Sequence, residues 1–276
     1  MVDFIGIGAQ KSGTSWVHAC LYEHPEICSP VKELHFFSRP RFAKGRDWYE
    51  NHFKSCAANL KQGEFSTSYL YSKEAPERIA SFYPKVKLVA IIRQPILRAY
   101  SQYRNAIKAG EITAKVSFDS YIASEPSCLE QGKYAEQLAL YQRVFDKEQL
   151  LVLVYEDSKH NPLSFIQSIY RHIGVDDTFV PPSLNVSINV ARTPKAVGVD
   201  KGMHNLAEWL RLHGLDRLVY FIRRTGLPEL VRKFNTTVEP AVEVKPDFER
   251  YKNYFSNDMA KLSEMLGRDI KQIWKL

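Results

Sequence analysis

The sequence has no apolar stretch of the length that a membrane-spanning helix requires. Its longest strictly apolar runs, residues 88–92 and 150–154, are five residues long, whereas a transmembrane helix needs about 20. The first residues carry no positively charged region before their short apolar stretch, so the sequence predicts no signal peptide. We therefore expect a cytoplasmic protein without a transmembrane segment.

Cysteine is scarce. The four cysteines (Cys20, Cys28, Cys56 and Cys128) are too few for a disulfide scaffold in a chain of this length, and no two have the spacing CxxC. We expect all four to be reduced thiols, buried or half-buried, as is usual in a cytoplasmic protein.

Low-complexity segments and blocks of like charge are also absent from the sequence. Of its 276 residues, 45% are hydrophobic and 25% charged, which is the composition of an ordinary folded protein. Lys and Arg (38) outnumber Asp and Glu (31), and the formal net charge of +7 favours an anionic ligand. A nucleic-acid partner is not predicted, because the sequence has no recognition motif of basic and aromatic residues.

Apolar runs of strand length alternate with amphipathic segments of helical length. Strands are predicted at 4–8, 87–92 and 150–155, and helices at 14–23, 73–82, 95–109, 135–145, 162–173 and 247–266, the last interrupted near Ser256. This alternation is typical of a three-layer α/β fold, in which helices cover both faces of a central parallel sheet. We expect residues 1–276 to form one domain of this class.

A segment at about residues 200–240 is predicted to be a helical insertion in that domain. Its apolar residues recur at helical spacing, and residues 201–234 hold seven Lys and Arg against three Asp and Glu. Such a segment could cover a ligand site, contact a membrane surface or form the interface of a homodimer. An amphipathic helix packed on the sheet would have the same pattern, so the sequence leaves these roles open.

The loop after the first predicted strand begins at Gly8 and reads Gly-Ala-Gln-Lys-Ser-Gly-Thr-Ser. Such a loop turns backbone N–H groups and a helix N-terminus toward an anion. It fails the dinucleotide pattern GxGxxG, because Lys11 stands where the third glycine is required. Gly8 and Gly13 have the spacing of the phosphate-binding pattern GxxxxGK[ST], but Thr14 and Ser15 occupy its last two positions. The sequence predicts a P-loop-like phosphate site with its cation at Lys11; a tight turn with a solvated lysine is the alternative.

The predicted strand at 87–92 is followed by Arg93. Kinases and ATPases of the P-loop class hold Mg²⁺ with an Asp at such a strand end. An arginine cannot bind a metal but can clamp a phosphate through two nitrogens, so we predict no metal site. Ser101 lies off the apolar stripe of the next helix, where its hydroxyl is available to the same site. A surface ion pair for Arg93, a solvated Ser101, and a nucleotide or small-molecule kinase are the alternatives.

Several segments in a fixed order resemble a known family. They are Lys-Ser-Gly-Thr-Ser (11–15), Lys-Glu-Leu-His-Phe-Phe (32–37), Asp-Trp-Tyr (47–49), Gly-Glu-Phe-Ser-Thr-Ser-Tyr (63–69), Arg93 with Ser101, Gly-Lys-Tyr-Ala (132–135) and Leu-Gly-Arg-Asp (266–269). Together they resemble the sulfotransferases that use 3′-phosphoadenosine 5′-phosphosulfate (PAPS), and in particular the bacterial and heparan-sulfate-type branches. The resemblance covers most of the chain.

The resemblance implies PAPS as the sulfuryl donor, and adenosine 3′,5′-bisphosphate (PAP) as its product. The 5′-phosphosulfate would be bound by the first loop, through Lys11, Ser12, Gly13, Thr14 and Ser15. Arg93 and Ser101 would hold the 3′-phosphate. Tyr134, Arg192 and Lys195 are further candidates for cofactor contacts. For these three the alternatives are the start of a core helix at Tyr134 and a solvated pair in the loop.

Sulfuryl transfer requires a cation for the leaving phosphate and a base for the acceptor proton. Lys11 would be the cation. Glu33 and His35 lie on a segment predicted to be extended, so that both side chains point to one side, and burial beside apolar residues would raise the pKa of Glu33. In heparan-sulfate-type relatives the Glu matching Glu33 is the catalytic base, and we expect His35 to assist it. A surface pair of Glu33 with Lys32 and a structural His35 are the alternatives.

The acceptor is not determined by these motifs. Several glycosaminoglycan-modifying relatives carry Lys where this chain has Phe65, so we expect a small molecule that is sulfated on a hydroxyl or a nitrogen. Bacterial secondary metabolites, including a toxin of the saxitoxin type, are one class that would fit. A sugar or glycan acceptor is the alternative.

Overall fold

The apolar runs of the sequence form a parallel sheet in the computed structural model, which describes residues 2–186, 193–194, 236–237 and 247–275. The strands are β1 (Phe4–Gly8), β2 (Ile27–Cys28), β3 (Lys61–Phe65), β4 (Lys87–Ile92) and β5 (Leu150–Val154). They pair in the order β2-β3-β1-β4-β5, and every pair is parallel. Two further short strands, β6 (Thr193–Pro194) and β7 (Thr236–Thr237), form an antiparallel pair.

Helices lie between the parallel strands and after the last of them. They are α1 (Thr14–Tyr22), α2 (Gly45–Glu50), α3 (Ala75–Phe82), α4 (Pro95–Ala109), α5 (Phe118–Ser124), α6 (Ser127–Glu130), α7 (Tyr134–Gln142), α8 (Tyr155–His160), α9 (Pro162–Ile173), α10 (Phe248–Leu266) and α11 (Ile270–Trp274). The predicted helices are therefore present, with ends that differ by a few residues. The predicted interruption near Ser256 is wrong, because α10 runs through that residue without a break.

Both faces of the sheet are buried. On one face Phe4, Val89 and Ile91 form a single apolar core with residues of α1 and α9. Ile5 and Leu88 alternate with these residues along the strands and are also fully buried, on the opposite face. This confirms the three-layer α/β fold predicted from the sequence.

Phe65 belongs to this core. Its ring is fully buried and lies so close to Gly6 that a Cβ atom at position 6 would stand 2.0 Å from Phe65 Cδ1. Position 6 therefore has to be glycine while Phe65 keeps this position.

The chain divides into two compact units. The first contains the sheet and consists of residues 1–99, 126–188 and 247–276; the second consists of residues 100–125 and 189–246. Of the predicted insertion at 200–240, the structure describes only 236–237, so its helical character lies outside the described residues. Among the described residues, no helix is both long and apolar enough to cross a membrane.

Cys28 and Cys56 are joined by a disulfide, with their Cα atoms 5.8 Å apart. The prediction of four reduced thiols is therefore wrong for this pair, whereas Cys20 and Cys128 are free and buried. The pairing depends on tertiary structure: β2 lies beside β3, and the chain that leads into β3 carries Cys56 back to the end of β2. Sequence spacing alone contains no sign of this return.

We expect Cys28→Ser to lower the free energy of unfolding by about 3 kcal/mol, because the bond closes a loop across a sequence separation of 28 residues. Urea unfolding with and without reductant measures this difference. Thiol titration of the denatured, unreduced protein should find two thiols, those of Cys20 and Cys128. Four thiols before reduction, or equal stability in both conditions, would contradict the disulfide.

Candidate active site

The carboxyl ends of neighbouring parallel strands meet at one edge of the sheet, where ligands bind in open α/β folds. Lys11 follows β1, Arg93 follows β4, and Tyr155 follows β5, and these three strands are adjacent. The loop and the arginine that the sequence analysis singled out are therefore brought to the same edge.

The loop after β1 leads directly into α1. Lys11 and Gly13 have left-handed backbones, with φ of 67° and 83°. The helix begins when Trp16 N–H and Val17 N–H bond to Gly13 O, at 3.0 and 3.2 Å, and no side chain among the described residues caps it. The first N–H groups of an α-helix have no acceptor within the helix, and the helix dipole makes this end positive. The uncapped end suits an anion.

Arg93 braces this loop. Its Nη1 donates to Lys11 O at 3.0 Å, and its guanidinium lies over the Tyr155 ring, 5.1 Å from the ring centroid. The hydroxyl of Tyr134 donates to Arg93 O at 2.8 Å, and Tyr134 is fully buried. Tyr134 thus has the core-helix placement that the sequence left open, and it contributes to the site by holding the backbone of Arg93.

Two polar atoms in this region are buried without a hydrogen-bond partner in the described part of the chain, Ser12 Oγ and Arg93 Nε. Buried polar groups normally have partners, so unpaired ones call for a ligand or water. Both atoms can donate to an oxyanion, and the helix end next to them favours negative charge. The residues present therefore fit a phosphate or phosphosulfate group.

Tyr155 was missed by sequence reasoning. A Cβ atom at Gly13 would lie 2.6 Å from Tyr155 Cε2, so the ring packs directly against the glycine of the loop. The same ring carries the Arg93 guanidinium. Its place as the residue after a buried strand was the only available signal, and that position is shared by many structural tyrosines.

The second part of the site is the segment that follows β2. Glu33 and His35 have left-handed backbones, with φ of 61° and 52°, so the prediction of an extended segment is wrong. The two side chains nevertheless meet, with His35 Nε2 3.2 Å from Glu33 Oε2. Leu34 and Phe36, which alternate with them, are buried. The side chains of Glu33 and His35 therefore meet because both residues are left-handed, and not because the segment is extended.

The pKa of Glu33 is lowered, and the predicted raised value is wrong. Burial is the strongest single influence and does act to raise it. Against it stand Lys32, whose Nζ donates to Oε1 at 2.9 Å, together with His35 and the N–H of Thr67, and their sum prevails. Glu33 is therefore a carboxylate at neutral pH. The Lys32 pair predicted as the alternative is present, within the same cluster as His35.

A chain of hydroxyls extends from His35. Ser68 Oγ lies 2.7 Å from His35 Nδ1, and Ser38 Oγ lies 2.6 Å from Ser68 Oγ. Because the Glu33 carboxylate can only accept, the proton of a neutral His35 lies on Nε2, and Nδ1 accepts from Ser68. The two serines therefore orient the imidazole. Nothing in the sequence pattern distinguished them from other serines.

Thr67 connects the Glu33 cluster to the first loop. Its N–H and hydroxyl donate to Glu33 Oε2, both at 3.1 Å. A Cβ atom at Gly8 would lie 3.0 Å from Thr67 O, so the start of the loop passes directly against this residue. The Glu33 carboxylate and the loop after β1 therefore lie on either side of the same residue.

Glu64 was also missed. It lies on β3, is fully buried, and accepts hydrogen bonds from Ser66 Oγ and Tyr69 OH, each at 2.6 Å. Burial is the main influence and raises the pKa of Glu64 to about 7, against these hydroxyls, which lower it. Glu64 is thus a buried carboxyl with a raised pKa beside the Glu33 cluster.

Of the remaining predicted site residues, the structure describes Thr14, Ser15 and Ser101. Thr14 and Ser15 form the first turn of α1. Ser101 lies on α4, in the second unit, and its pairing with Arg93 around one phosphate stays a prediction. Arg192 and Lys195 lie outside the described residues.

Comparison with known proteins gives the family. Residues 2–198 match the family described as the sulfotransferase domain, and the chain belongs to this family. It is 31% identical over 193 residues to the human bifunctional heparan sulfate N-deacetylase/N-sulfotransferase 3, an alignment that covers 62% of this chain and 22% of that protein. The corresponding Drosophila melanogaster enzyme is 25% identical over 282 residues, covering 86% and 26%. The chain thus spans about a quarter of the length of these relatives.

Solved structures show the same fold. A sulfotransferase from Alicyclobacillus acidocaldarius superposes with a TM-score of 0.72 and 23% identity, over 100% of this chain and 99% of that one. A sulfotransferase domain of the curacin biosynthetic pathway has a TM-score of 0.52 and 14% identity, over 68% and 79%. The sheet and its helices therefore have the P-loop-like α/β architecture of sulfotransferases.

Proposed function

We propose that the protein transfers a sulfuryl group from PAPS to a hydroxyl or nitrogen of an acceptor, with Glu33 as the base. The observation that carries this proposal is one site with two chemical halves. An uncapped helix end with Lys11 and Arg93 lies at the same sheet edge as the Glu33 carboxylate, and Thr67 joins the two.

The donor half is made by this chain's own cations and N–H groups. PAPS, when bound, supplies the sulfuryl group and a bisphosphate leaving group. The backbone of residues 12–15 and Ser12 Oγ would hold the 5′ end, with Lys11 neutralising charge there. Arg93, whose Nε has no partner among the described residues, would contact the 3′-phosphate. Ser101, Arg192 and Lys195 are proposed for the same end.

The acceptor half needs a proton acceptor that is ionised in the resting enzyme. Glu33 meets this condition because Lys32 and His35 lower its pKa. The His35 imidazole contacts Glu33 Oε2 through Nε2. It can therefore orient the carboxylate and take part in moving the acceptor proton. Ser68 and Ser38 then fix the imidazole.

For the acceptor we propose a small molecule, including bacterial secondary metabolites of the saxitoxin type. Several glycosaminoglycan-modifying relatives carry Lys at position 65, whereas the Phe65 side chain of this chain lies in the apolar core. Position 65 therefore offers no cation to an anionic acceptor. A sugar or glycan is the second candidate, and the named activity of the heparan sulfate relatives favours it. Lys32, whose backbone pairs with Phe65, would supply a cation near Glu33 for an anionic sugar.

A cytoplasmic location stays a prediction. The Cys28–Cys56 disulfide does not favour it, because disulfides persist mainly in oxidising compartments.

Thermal unfolding in EDTA with PAP, with ADP or without ligand tests the donor assignment. A ligand at about 100 times its Kd stabilises the folded state by roughly 2.7 kcal/mol, which raises Tm by about 5 °C or more in a chain of this size. We expect this shift with PAP alone. An equal shift with ADP would point to a nucleotide kinase instead, and no shift with either would contradict the proposal. Labelled PAPS then serves to screen small-molecule and glycan acceptors.

We expect Lys32→Ala to move the acid limb of the pH profile of kcat/KM to higher pH. Glu33 accepts a proton only when ionised, so its activity is lost as the pH falls through its pKa. Lys32 is the largest of the influences that lower this pKa, and removing it lets burial raise the value. Lys44→Ala, which removes an exposed lysine lying over Trp48, is the matched control. An unmoved limb would show that Glu33 does not set it.

A further inference from the structure

Glu64 is a fully buried carboxyl that the proposed reaction does not use. Its Oε2 accepts from Ser66 Oγ at 2.6 Å, and its Oε1 accepts from Tyr69 OH at 2.6 Å and Tyr49 OH at 3.3 Å. Burying a carboxyl is unfavourable unless it gains strong partners, and a network of this kind rigidifies what it holds. Two of these hydroxyls make further hydrogen bonds to the backbone.

Two of the hydroxyls bind the backbone beside the Glu33–His35 pair. Ser66 Oγ accepts the N–H of His35 at 2.9 Å, and Tyr69 OH accepts the N–H of Phe36 at 2.9 Å. A hydroxyl has one proton, so each directs its proton to Glu64 while its lone pair receives the backbone N–H. Because Glu64 accepts both hydroxyl protons, each hydroxyl oxygen is oriented to accept a backbone N–H. The hydrogen bonds from His35 N–H and Phe36 N–H therefore depend on Glu64.

That backbone requires such support. Glu33 and His35 are left-handed, a conformation that is unfavourable for residues other than glycine and persists only where surrounding contacts fix it. The N–H groups bound by Ser66 and Tyr69 lie within and directly after this turn. A rotation there would swing the His35 imidazole away from Glu33 Oε2, which lies 3.2 Å from it.

We propose that Glu64 is a positioning residue for the base. Through Ser66 and Tyr69 it holds the backbone at His35 and Phe36, and so keeps the His35 imidazole against the Glu33 carboxylate. What this pair does in the reaction rests on the proposed function; the positioning itself does not.

Glu64→Gln is the test variant. The glutamine NH2 replaces an acceptor with a donor, so it opposes either the Ser66 or the Tyr69 proton. That hydroxyl then has to turn, and its bond to the backbone N–H is lost. Glu130→Gln is the matched control, because it makes the same substitution at a carboxylate that also accepts from a tyrosine hydroxyl, Tyr71 OH at 2.5 Å, but in an exposed position.

The first readout is the ¹⁵N NMR signal of the His35 ring, assigned by its loss in His35→Gln. We expect the signal to shift in Glu64→Gln and to stay unchanged in Glu130→Gln. Ser66→Ala and Tyr69→Phe each remove one hydroxyl and should shift the same signal, which keeps the test decisive if Glu64→Gln does not fold. An unchanged His35 signal in the folded variants would overturn the proposal.

The second readout is turnover. We expect Glu64→Gln to lower kcat by about 10- to 100-fold with the KM for PAPS unchanged, because misplacing the base acts on chemistry and not on donor binding. Retained thermal stabilisation by PAP shows that the donor half is intact. Unchanged kcat would overturn the positioning role. If the wild-type protein shows no PAP shift, the proposed function fails, while the NMR signal still tests the positioning.

Discussion

Glu33→Gln is expected to lower kcat for sulfuryl transfer by about 10²- to 10⁴-fold, the usual contribution of a general base. The amide has nearly the shape of the carboxylate but cannot take up the acceptor proton. It would also leave Lys32 and His35 without the charge that they contact. Initial rates at saturating PAPS and acceptor measure this loss.

Binding of PAP separates catalysis from folding in that experiment. The proposed donor half consists of Lys11, Ser12 and Arg93, so we expect the Tm shift with PAP to be retained in Glu33→Gln. Glu50→Gln is the matched control, because Glu50, like Glu33, pairs with a basic side chain and a hydroxyl, those of Arg46 at 2.8 Å and Tyr83 at 3.0 Å. Turnover near the wild-type value in Glu33→Gln would rule out Glu33 as the base and leave His35 as the candidate.

Arg93→Ala is expected to weaken PAP binding by about 10- to 100-fold, the value of one charged hydrogen bond at about 1.5–3 kcal/mol. The loss has two causes. The phosphate loses a guanidinium donor, and the loop loses the bond from Arg93 Nη1 to Lys11 O. Calorimetric titration with PAP measures the affinity, and the Tm shift should fall accordingly.

Arg93→Lys sharpens this prediction. A lysine keeps the charge but cannot bond to Lys11 O and a phosphate through one planar group, so we expect it to restore only a minor part of the affinity. Arg268→Ala, which removes an arginine bonded to Asp157 through both Nη atoms at 2.6 and 3.0 Å, is the control for loss of an arginine elsewhere. Wild-type affinity in Arg93→Ala would exclude Arg93 from the donor site.

Sequence reasoning succeeded where one local signal determines one element. The run at 88–92 is apolar without interruption and became β4, and Pro95 began α4 as expected. The apolar run at 4–8 and the apolar face of 14–23 predicted a strand and a helix joined by a loop, which form as β1, the loop and α1. These features depend on residues that are neighbours in the chain.

It failed where the outcome depended on groups distant in sequence. Burial of Glu33 was anticipated, and its neighbour Lys32 was considered only as an alternative partner. In the structure Lys32 acts together with His35 and the distant N–H of Thr67, and their sum reverses the direction of the pKa of Glu33. The left-handed turn at Glu33 and His35 forms because partners on and after β3 hold it. No periodicity in the segment itself records those partners.

The class of fold, the loop between β1 and α1 and the family follow from the amino-acid sequence, because strand and helix periods and ordered motifs are local properties. Which of the distant groups lie together depends on the tertiary structure. In the folded chain Arg93 donates to Lys11 O, and Cys28 forms a disulfide with Cys56. Glu64 accepts hydrogen bonds from three hydroxyls. The contact of Arg93 with Lys11, the Cys28–Cys56 bond and the contact of Tyr49 with Glu64 join segments distant in sequence, so they form only when the sheet has assembled. The buried hydrogen bonds among them gain strength because water is excluded there.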